Sequence, residues 1–335
     1  MSTIKRYMDI PRVGHKTTKD YFIQIASQRK KIRIMLKLDG ANSHFEINDK
    51  NELNSYSRDN LLREEKGFDL RGFYQYVNTK VDKSILPANF KIYGEWLVSH
   101  TVVYPKEMYN HFYIFDIYDT KKEEYIDSDS NEYKNIIAYL VNHCGMKEAP
   151  VLYEGHYKGI EHIESILKQV CRSDDEYHGK QPDKFEDVFN EGIVVKSYDY
   201  RDYGGNQLFV KFVSEKFKEI KKVKINKTPS GPDTSIEKQI AEFSVTPARV
   251  EKIMNKLIDQ GILPEDYDLE NMQIIARNVP KMAYDDVMKE ELDTIKEEFG
   301  EFDEKLIGKK INAITMNIVK DIIREKVEQR AKELI

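Results

Sequence analysis

The sequence predicts an α+β protein in which a domain of antiparallel sheets, residues 1–228, precedes an all-α domain, residues 235–335. Before about residue 225, short runs rich in β-branched and aromatic residues alternate with two amphipathic segments, which is typical of a mixed domain. After it, apolar residues recur at helical spacing. The stretch Lys227–Asp233 contains prolines and a glycine but no apolar side chain, so it predicts the linker between the two domains.

The first element is a strand over residues 31–39, in which two sets of side chains alternate. One set is Ile32, Ile34, Leu36 and Leu38, and the other is Met35, Lys37 and Asp39. Because successive side chains of a strand point to opposite faces, the aliphatic set is expected to pack into a core. Lys37 and Asp39 then share the other face, just before the glycine turn. A lysine held beside a carboxylate is a candidate nucleophile; the alternative is an ordinary edge strand with a solvated lysine.

The remaining elements of the first domain follow from the same patterns. The strand at 31–39 is followed by a strand at 44–47 and a polar turn at 48–51, which together indicate a hairpin. The charged segment 60–80 is predicted to be partly helical. Aromatic and β-branched runs predict further strands at 90–98, 112–118, 191–196 and 208–213. Amphipathic spacing predicts helices at 131–144 and 160–172, followed by a polar loop at 173–184.

The second domain begins with clear helix signals. Thr246 offers an N-cap hydroxyl, Pro247 suits the first helical position, and Gly261 ends the helix. Apolar positions from Val250 to Ile258 follow helical spacing, and segments at about 265–278, 281–299 and 303–334 have the same character. We therefore expect only helices here.

The composition is that of a soluble globular protein, and it argues against a disulfide scaffold and a zinc site. The two cysteines are too few for a disulfide scaffold and fit a reducing cytosol, and the scattered histidines match no zinc pattern. The start of the chain lacks the apolar core of a signal peptide, and no apolar run is long enough to span a membrane, so we expect a cytoplasmic protein. Any metal should be Mg²⁺ or Mn²⁺ held by oxygen ligands and phosphates. The net charge of −5 does not decide for or against nucleic acid.

Five short stretches carry the candidate chemistry. They are Lys37-Leu38-Asp39-Gly40, Tyr93-Gly94-Glu95-Trp96, Phe112-Tyr113-Ile114-Phe115-Asp116, Glu191-Gly192-Ile193-Val194-Val195-Lys196 and Val210-Lys211-Phe212. Each stretch alone is weak evidence, because glycine–glutamate pairs and lysines at strand ends are common. All five in this order and at this spacing are hard to obtain by chance.

Together, these stretches resemble the covalent nucleotidyltransferase superfamily of ATP-dependent DNA and RNA ligases and messenger-RNA capping enzymes, over about residues 33–216. Asn42 after the lysine turn, Arg58 downstream and the helical second domain resemble the RNA ligase 2 family, the phage-type ligases that seal RNA nicks in duplexes. The resemblance implies an ATP-grasp-like ligase adenylation domain over residues 1–228. It also implies a cytoplasmic role in RNA repair, in which case the cell would be a phage-infected bacterium.

The resemblance implies a reaction in three steps, with ATP and a divalent cation as cofactors. Lys37 attacks the α-phosphate of ATP, AMP passes to an RNA 5′-phosphate, and a 3′-hydroxyl then displaces AMP. Lys196 and Lys211 are the implied catalytic cations, which should lower the pKa of Lys37 and neutralise phosphates. Glu191 is the implied metal ligand, Glu95 suits the ribose hydroxyls, and Phe115 can stack on adenine. The full set of implied ATP-binding residues is Leu36, Asp39, Gly40, Asn42, Arg58, Glu95, Phe115 and Glu191.

Two details of the lysine strands need a structural explanation. Glu191 and Lys196 have opposite parity, so a straight strand cannot aim both at one ligand, and we predict a bend at Gly192. The RNA ligase 2 family carries a second lysine two positions after the one matched by Lys211, but this chain has Val213 there. Lys216, three residues further on, cannot share that geometry without an extra turn, so its role is doubtful.

The expected partner is RNA with 3′-hydroxyl and 5′-phosphate ends, with a nicked duplex as one form, and no membrane. Three alternatives remain open: a DNA ligase, a GTP-dependent capping guanylyltransferase, and a non-catalytic protein that binds RNA ends. The helical second domain argues against the first two, because those enzymes carry a β-rich oligonucleotide-binding barrel. The complete set of lysines and glutamates argues against the third.

Overall fold

The computed structural model describes residues 6–48, 50–65, 67–171, 188–221 and 234–333. The chain divides into two compact units, Met1–Ser214 and Glu215–Ile335. The first contains antiparallel sheets and helices, and the described part of the second contains helices, so the predicted α+β fold with a helical C-terminal region is confirmed. The predicted linker at Lys227–Asp233 and the polar loop at 173–184 lie outside the described residues.

The first unit holds two sheets. The strands are β1 (Lys31–Lys37), β2 (Ala41–Ile47), β3 (Leu53–Ser57), β4 (Phe90–Trp96), β5 (Phe112–Asp119), β6 (Glu124–Tyr125), β7 (Lys147–Glu148), β8 (Val151–His156), β9 (Gly192–Lys196) and β10 (Phe209–Val213). One sheet has the order β10-β9-β1-β8. The other has the order β3-β2-β4-β5-β6, and β7 pairs with β5 in parallel. The predicted hairpin corresponds to β2 and β3, whereas β1 and β2 belong to different sheets.

Helices cover the sheets of the first unit. They are α1 (Lys16–Ser27), α2 (Phe73–Lys80), α3 (Asn131–Cys144) and α4 (Ile160–Val170). Tyr21 and Ile25 of α1 and Ile163 of α4 pack with Ile34 and Val195 in one core. That core buries one face of the four-stranded sheet, which leaves its other face for the candidate site.

The second unit is built from helices with well-defined ends. They are α5 (Ile236–Ser244), α6 (Pro247–Asp259), α7 (Met272–Glu290), α8 (Leu292–Phe299) and α9 (Glu304–Glu333). As predicted, α6 starts at Pro247, and the Thr246 hydroxyl accepts from the backbone of Arg249 at 3.2 Å. Gly261 adopts a positive φ of 68° just after α6. Among the described residues, no helix could cross a bilayer.

Candidate active site

The three predicted lysines lie on one face of the four-stranded sheet. Lys37 pairs with Gly192, and Lys211 pairs with Val194 of the strand between them. Lys196 pairs with Arg33 of β1. Directly opposed residues project from the same side of a sheet, so the register places all three side chains on the face that the helical core leaves uncovered.

Lys37 forms an ion pair with Glu191 at the end of this face. The Nζ donates to Oε2 of Glu191, and 29% of the lysine side chain and 15% of the glutamate side chain are exposed. Glu191 lies just before β9, so it is not bound by the alternation of that strand. Both ladders of β9 run in regular register from Gly192 to Lys196, so no bulge interrupts the strand after Gly192.

The acids around Lys37 favour its charged form. Burial acts to lower the pKa of Lys37, but the charges of Glu191 and Glu95 outweigh it, and the pKa lies above its ordinary value. Lys196 and Lys211 therefore do not lower this pKa against the neighbouring acids. In turn, burial raises the pKa of Glu191 and raises that of Glu95 to about 8. Burial therefore acts against the charged forms of both glutamates.

Two residues from the other sheet hold the turn after Lys37: Glu95 of β4 and Tyr104 of the loop that follows β4. The Gly40 N–H donates to Oε1 of Glu95 at 3.0 Å, and the Asp39 N–H donates to the Tyr104 hydroxyl at 2.9 Å. A Cβ at Gly40 would lie 2.7 Å from the carbonyl oxygen of Trp96, so only glycine fits this approach. Glu95 and Tyr104 therefore both contact the turn that follows Lys37.

Lys196 is directed away from Lys37. Its Nζ donates to Oδ2 of Asp116 at 2.7 Å and to the carbonyl oxygen of Phe115 at 2.6 Å. Because it pairs with Arg33, it lies about 13 Å along the strand from Lys37. Burial lowers the pKa of Lys196. Lys196 is thus a partner of the Phe115–Asp116 strand and makes no hydrogen bond to the Lys37–Glu191 pair among the described residues.

Lys211 is joined by the N-terminal segment. The Lys211 N–H donates to the Pro11 carbonyl and its own carbonyl accepts from the Val13 N–H, both at 2.9 Å. Arg12 thereby forms a parallel bridge with Lys211, and the two side chains share the sheet face that carries Lys37. β10 ends at Val213, so Lys216 lies beyond the strand that carries Lys211.

The other predicted ATP-binding residues fall into two groups. Asn42 and Phe115 lie in the six-stranded sheet, whereas Arg58 and Leu36 contact other parts of the chain. Asn42 pairs with Glu95 in the six-stranded sheet, and its buried Oδ1 has no hydrogen-bond partner among the described residues. Phe115 packs against Tyr7 with ring centroids 4.7 Å apart. Arg58 instead pairs with Asp9. Leu36 turns its side chain to the face opposite Lys37, and its N–H donates to the Pro150 carbonyl, so neither residue joins the Lys37 cluster.

Four residues of the site had no periodic signal in the sequence. Tyr7 and Tyr198 donate hydroxyl hydrogen bonds to the buried carboxylate of Asp116. His100 and Tyr104 contact Asp39 from an irregular loop. Asp116 stands out in the sequence because it follows an aromatic run. The sequence alone does not show that Tyr7 and Tyr198, which lie far from it along the chain, bind its carboxylate.

The cleft around the Lys37–Glu191 pair offers ligands that fit a hard divalent cation. Glu191 supplies a carboxylate oxygen, the ligand type that Mg²⁺ and Mn²⁺ prefer, and the charge of Asp39 acts on Glu191, so a second carboxylate lies nearby. A three-carboxylate cluster in the described chain lies elsewhere, at Glu219, Asp286 and Glu290 of the helical unit. A cation in the cleft would therefore use one or two carboxylates together with phosphate oxygens and water.

The sheet face defines a nucleotidyltransferase-like site, with a lysine–glutamate pair at its centre. The RNA ligase family model matches residues 30–213, more than half of the chain, and so the chain belongs to the RNA ligase family. No curated protein matches it.

Solved structures give a more distant likeness, to the RNA ligase of Naegleria gruberi. A point mutant with ATP and Mn is 20% identical, with a TM-score of 0.43 over 64% of this chain and 57% of that one. The same ligase with pyrophosphate is 21% identical, with a TM-score of 0.41 over 64% and 57%. A mutant with AMP and Mn is 19% identical, with a TM-score of 0.39 over 64% and 57%. This chain matches little more than half the length of those ligases.

Proposed function

We propose that this protein is an ATP-dependent RNA ligase that joins 3′-hydroxyl and 5′-phosphate ends through an AMP-lysine at Lys37. The observation that carries the proposal is the Lys37–Glu191 pair on a sheet face shared with Lys211. Membership of the RNA ligase family supports the same chemistry.

The proposed reaction transfers an adenylyl group twice. The lone pair of Lys37 Nζ attacks the α-phosphorus of ATP, the bond to the β-phosphate oxygen breaks, and pyrophosphate leaves. An oxygen of the RNA 5′-phosphate then attacks the same phosphorus and releases Lys37. Finally, a 3′-hydroxyl attacks the RNA 5′-phosphorus, loses its proton, and expels AMP to form the phosphodiester bond.

The side chains divide the work of the first transfer. The amine must be neutral to attack, so Glu191 is placed to hold the ammonium and to accept its proton. Lys211 and Arg12 lie on the same face, where their charge would stabilise the phosphates. Glu95 and Asn42 would bind the ribose, and Phe115, supported by Lys196, would stack on adenine. A divalent cation bound at Glu191 would supply further charge neutralisation at the phosphates.

The finer assignment to the RNA ligase 2 family is also a proposal, as are RNA repair, a cytoplasmic location and a phage-infected host cell. Asn42 and a helical C-terminal region support the subfamily. We further propose that residues 1–228 are the adenylyltransferase domain and that residues 235–335 help to hold the nucleic acid. A fragment 1–228 should then form AMP-lysine but seal nicks poorly.

The decisive experiment mixes the protein with α-labelled ATP and Mg²⁺ or Mn²⁺ and then denatures it. Label should stay on the wild-type protein, be absent from Lys37→Arg, and be displaced by RNA with a 5′-phosphate. Label that is absent from the wild type, or equal on Lys37→Arg, would contradict the proposal and favour a non-catalytic RNA-end-binding protein.

Substrate comparisons separate the related enzymes. The same assay with α-labelled GTP distinguishes a capping guanylyltransferase, which would prefer GTP. Sealing is then compared on nicked duplex RNA, an RNA–DNA hybrid, nicked duplex DNA and single strands. The RNA ligase 2 assignment predicts the fastest sealing on the nicked RNA duplex, and faster sealing of nicked DNA would instead identify a DNA ligase.

A further inference from the structure

The Asp39 carboxylate is held on both oxygens by the loop between β4 and β5. The backbone N–H of Val102 donates to Oδ2 at 2.8 Å, and Nδ1 of His100 lies 3.5 Å from Oδ1. The same loop carries Tyr104, whose hydroxyl accepts from the Asp39 N–H at 2.9 Å. Three contacts therefore join this loop to the residue two places after Lys37.

His100 is the side chain on which this arrangement depends. It is only 6% exposed, and the Asp39 side chain is 19% exposed, so little solvent is present to replace a lost contact. The Val102 contact comes from the backbone and would survive most substitutions. Removing the imidazole would leave a largely buried carboxylate oxygen without its donor, which is costly and favours a new orientation of Asp39.

A reoriented Asp39 has a nearby cation to bind. The charges of Lys37 and Asp39 act on each other's pKa, so the two side chains lie near one another, and the Lys37 ammonium already pairs with Glu191. A carboxylate released from the loop would give that ammonium a second partner and draw Nζ away from its present position. Misplacing a reacting atom by about 1 Å can cost a hundredfold in rate.

We propose that His100 is a positioning residue for adenylyl transfer. By holding Oδ1 of Asp39 against the loop, it keeps the Lys37–Gly40 turn in one conformation and leaves Lys37 directed to Glu191. His100 acts through Asp39 and takes no part in bond making. This inference rests on the proposed AMP-lysine chemistry.

The test uses the full chain in single-turnover formation of labelled AMP-lysine at saturating ATP. We expect His100→Leu to lower the maximal rate on the order of tenfold to a hundredfold while the ATP concentration for half-saturation changes less than about twofold. His100→Asn keeps a neutral hydrogen-bond donor and should recover most of the rate. His111→Leu, whose imidazole contacts the Tyr109 carbonyl in the same connection, is the matched control and should keep the wild-type rate.

A double mutant separates positioning from general damage. If His100 acts through Asp39, adding His100→Leu to Asp39→Ala should cause no further loss, and the single variants should have similar defects. Losses that multiply would overturn the inference, as would a wild-type rate in His100→Leu. If the leucine variant does not fold, His100→Phe, which keeps a ring but offers no donor to Asp39, gives the same comparison in the two Asp39 backgrounds. A wild-type protein that forms no AMP-lysine would instead contradict the proposed function itself.

Discussion

Lys196 Nζ and Asp116 Oδ2 lie 2.7 Å apart, and their side chains are 2% and 0% exposed. The pair links β9 of the four-stranded sheet to β5 of the six-stranded sheet. Asp116 also accepts hydrogen bonds from the hydroxyls of Tyr7 and Tyr198, so its charge is compensated from three directions. A lysine that the motif predicts to be catalytic therefore joins the two sheets behind Phe115.

Breaking this pair should destabilise the protein. Lys196→Met leaves the Asp116 carboxylate buried without its cation, and removal of one partner of such a pair costs about 3–5 kcal/mol. The free energy of unfolding in urea measures the loss. Lys31→Met is the control, because Lys31 pairs with Asp129 on the surface and its loss should be too small to detect. Equal unfolding midpoints for the two variants would contradict this prediction.

The rate of AMP-lysine formation should rise with pH. The pKa of Lys37 lies above its ordinary value, so the neutral amine is the minor form throughout the neutral range, and its fraction grows about tenfold per pH unit below that pKa. Quenched single-turnover labelling between pH 6 and 9 measures the slope. Sealing of pre-adenylylated RNA does not use the Lys37 nucleophile and should lack this slope. A rate that is already constant at pH 7 would show that the bound nucleotide and cation lower the pKa strongly.

His44 should make the protein sensitive to acid. It is fully buried, both ring nitrogens lack partners among the described residues, and burial, with the nearby Lys91, lowers its pKa to about 3. An unfolded histidine titrates near 6.5, so only the unfolded state gains a proton between about pH 6.5 and 3, and stability falls as the pH falls.

The change from pH 7 to 5.5 should cost about 1 kcal/mol of unfolding free energy from this residue alone. His44→Phe keeps a ring against Tyr56, with which His44 stacks at 4.6 Å, and removes the titration. Urea unfolding at the two pH values should therefore show a smaller difference for the variant. The same difference in both proteins would contradict the prediction.

Gly192 should tolerate no side chain. A Cβ there would overlap the Phe212 carbonyl and lie 3.0 Å from the Val213 Cα, and both neighbours are sheet backbone that cannot turn aside. Gly192→Ala should cost about 1–3 kcal/mol or more and displace Glu191 from Lys37, which lowers AMP-lysine formation. Gly308→Ala, inside α9, is the control. The new Cβ would make an ordinary 3.6 Å contact with Tyr284 of α7, so the substitution should be neutral or stabilising.

Local patterns predicted much of this fold. The alternation along β1 separates Ile32 and Ile34, which enter the core with α1 and α4, from Lys37. α3 begins and ends at the predicted residues, Asn131 and Cys144, because a serine N-cap and a glycine in the left-handed conformation bound it. The glycine at 40 was also recognisable, because a turn with so close a backbone approach needs that residue type.

Long-range partners could not be predicted in the same way. Strand alternation gives the face on which Lys196 lies, but it cannot decide whether the side chain meets a phosphate or Asp116. That depends on the order of the strands, which makes Arg33 the neighbour of Lys196. The alternation of side chains along β9 does not apply to Glu191, because β9 starts one residue later. His100 lies in an irregular connection, where no period relates sequence distance to direction.

The position of the single tryptophan decides how nucleotide binding can be observed in solution. Trp96 follows Glu95, yet its indole packs on Phe73 and Tyr76 and donates to the Arg71 carbonyl, inside the core of the six-stranded sheet. Tyr7, Tyr93 and Tyr125 instead pack together in a separate buried cluster, in which Tyr7 contacts Phe115 and donates to Asp116. Tryptophan emission will therefore report on the packing of that sheet, whereas the near-ultraviolet circular dichroism of the tyrosines will respond to changes at Phe115, where adenine is proposed to stack.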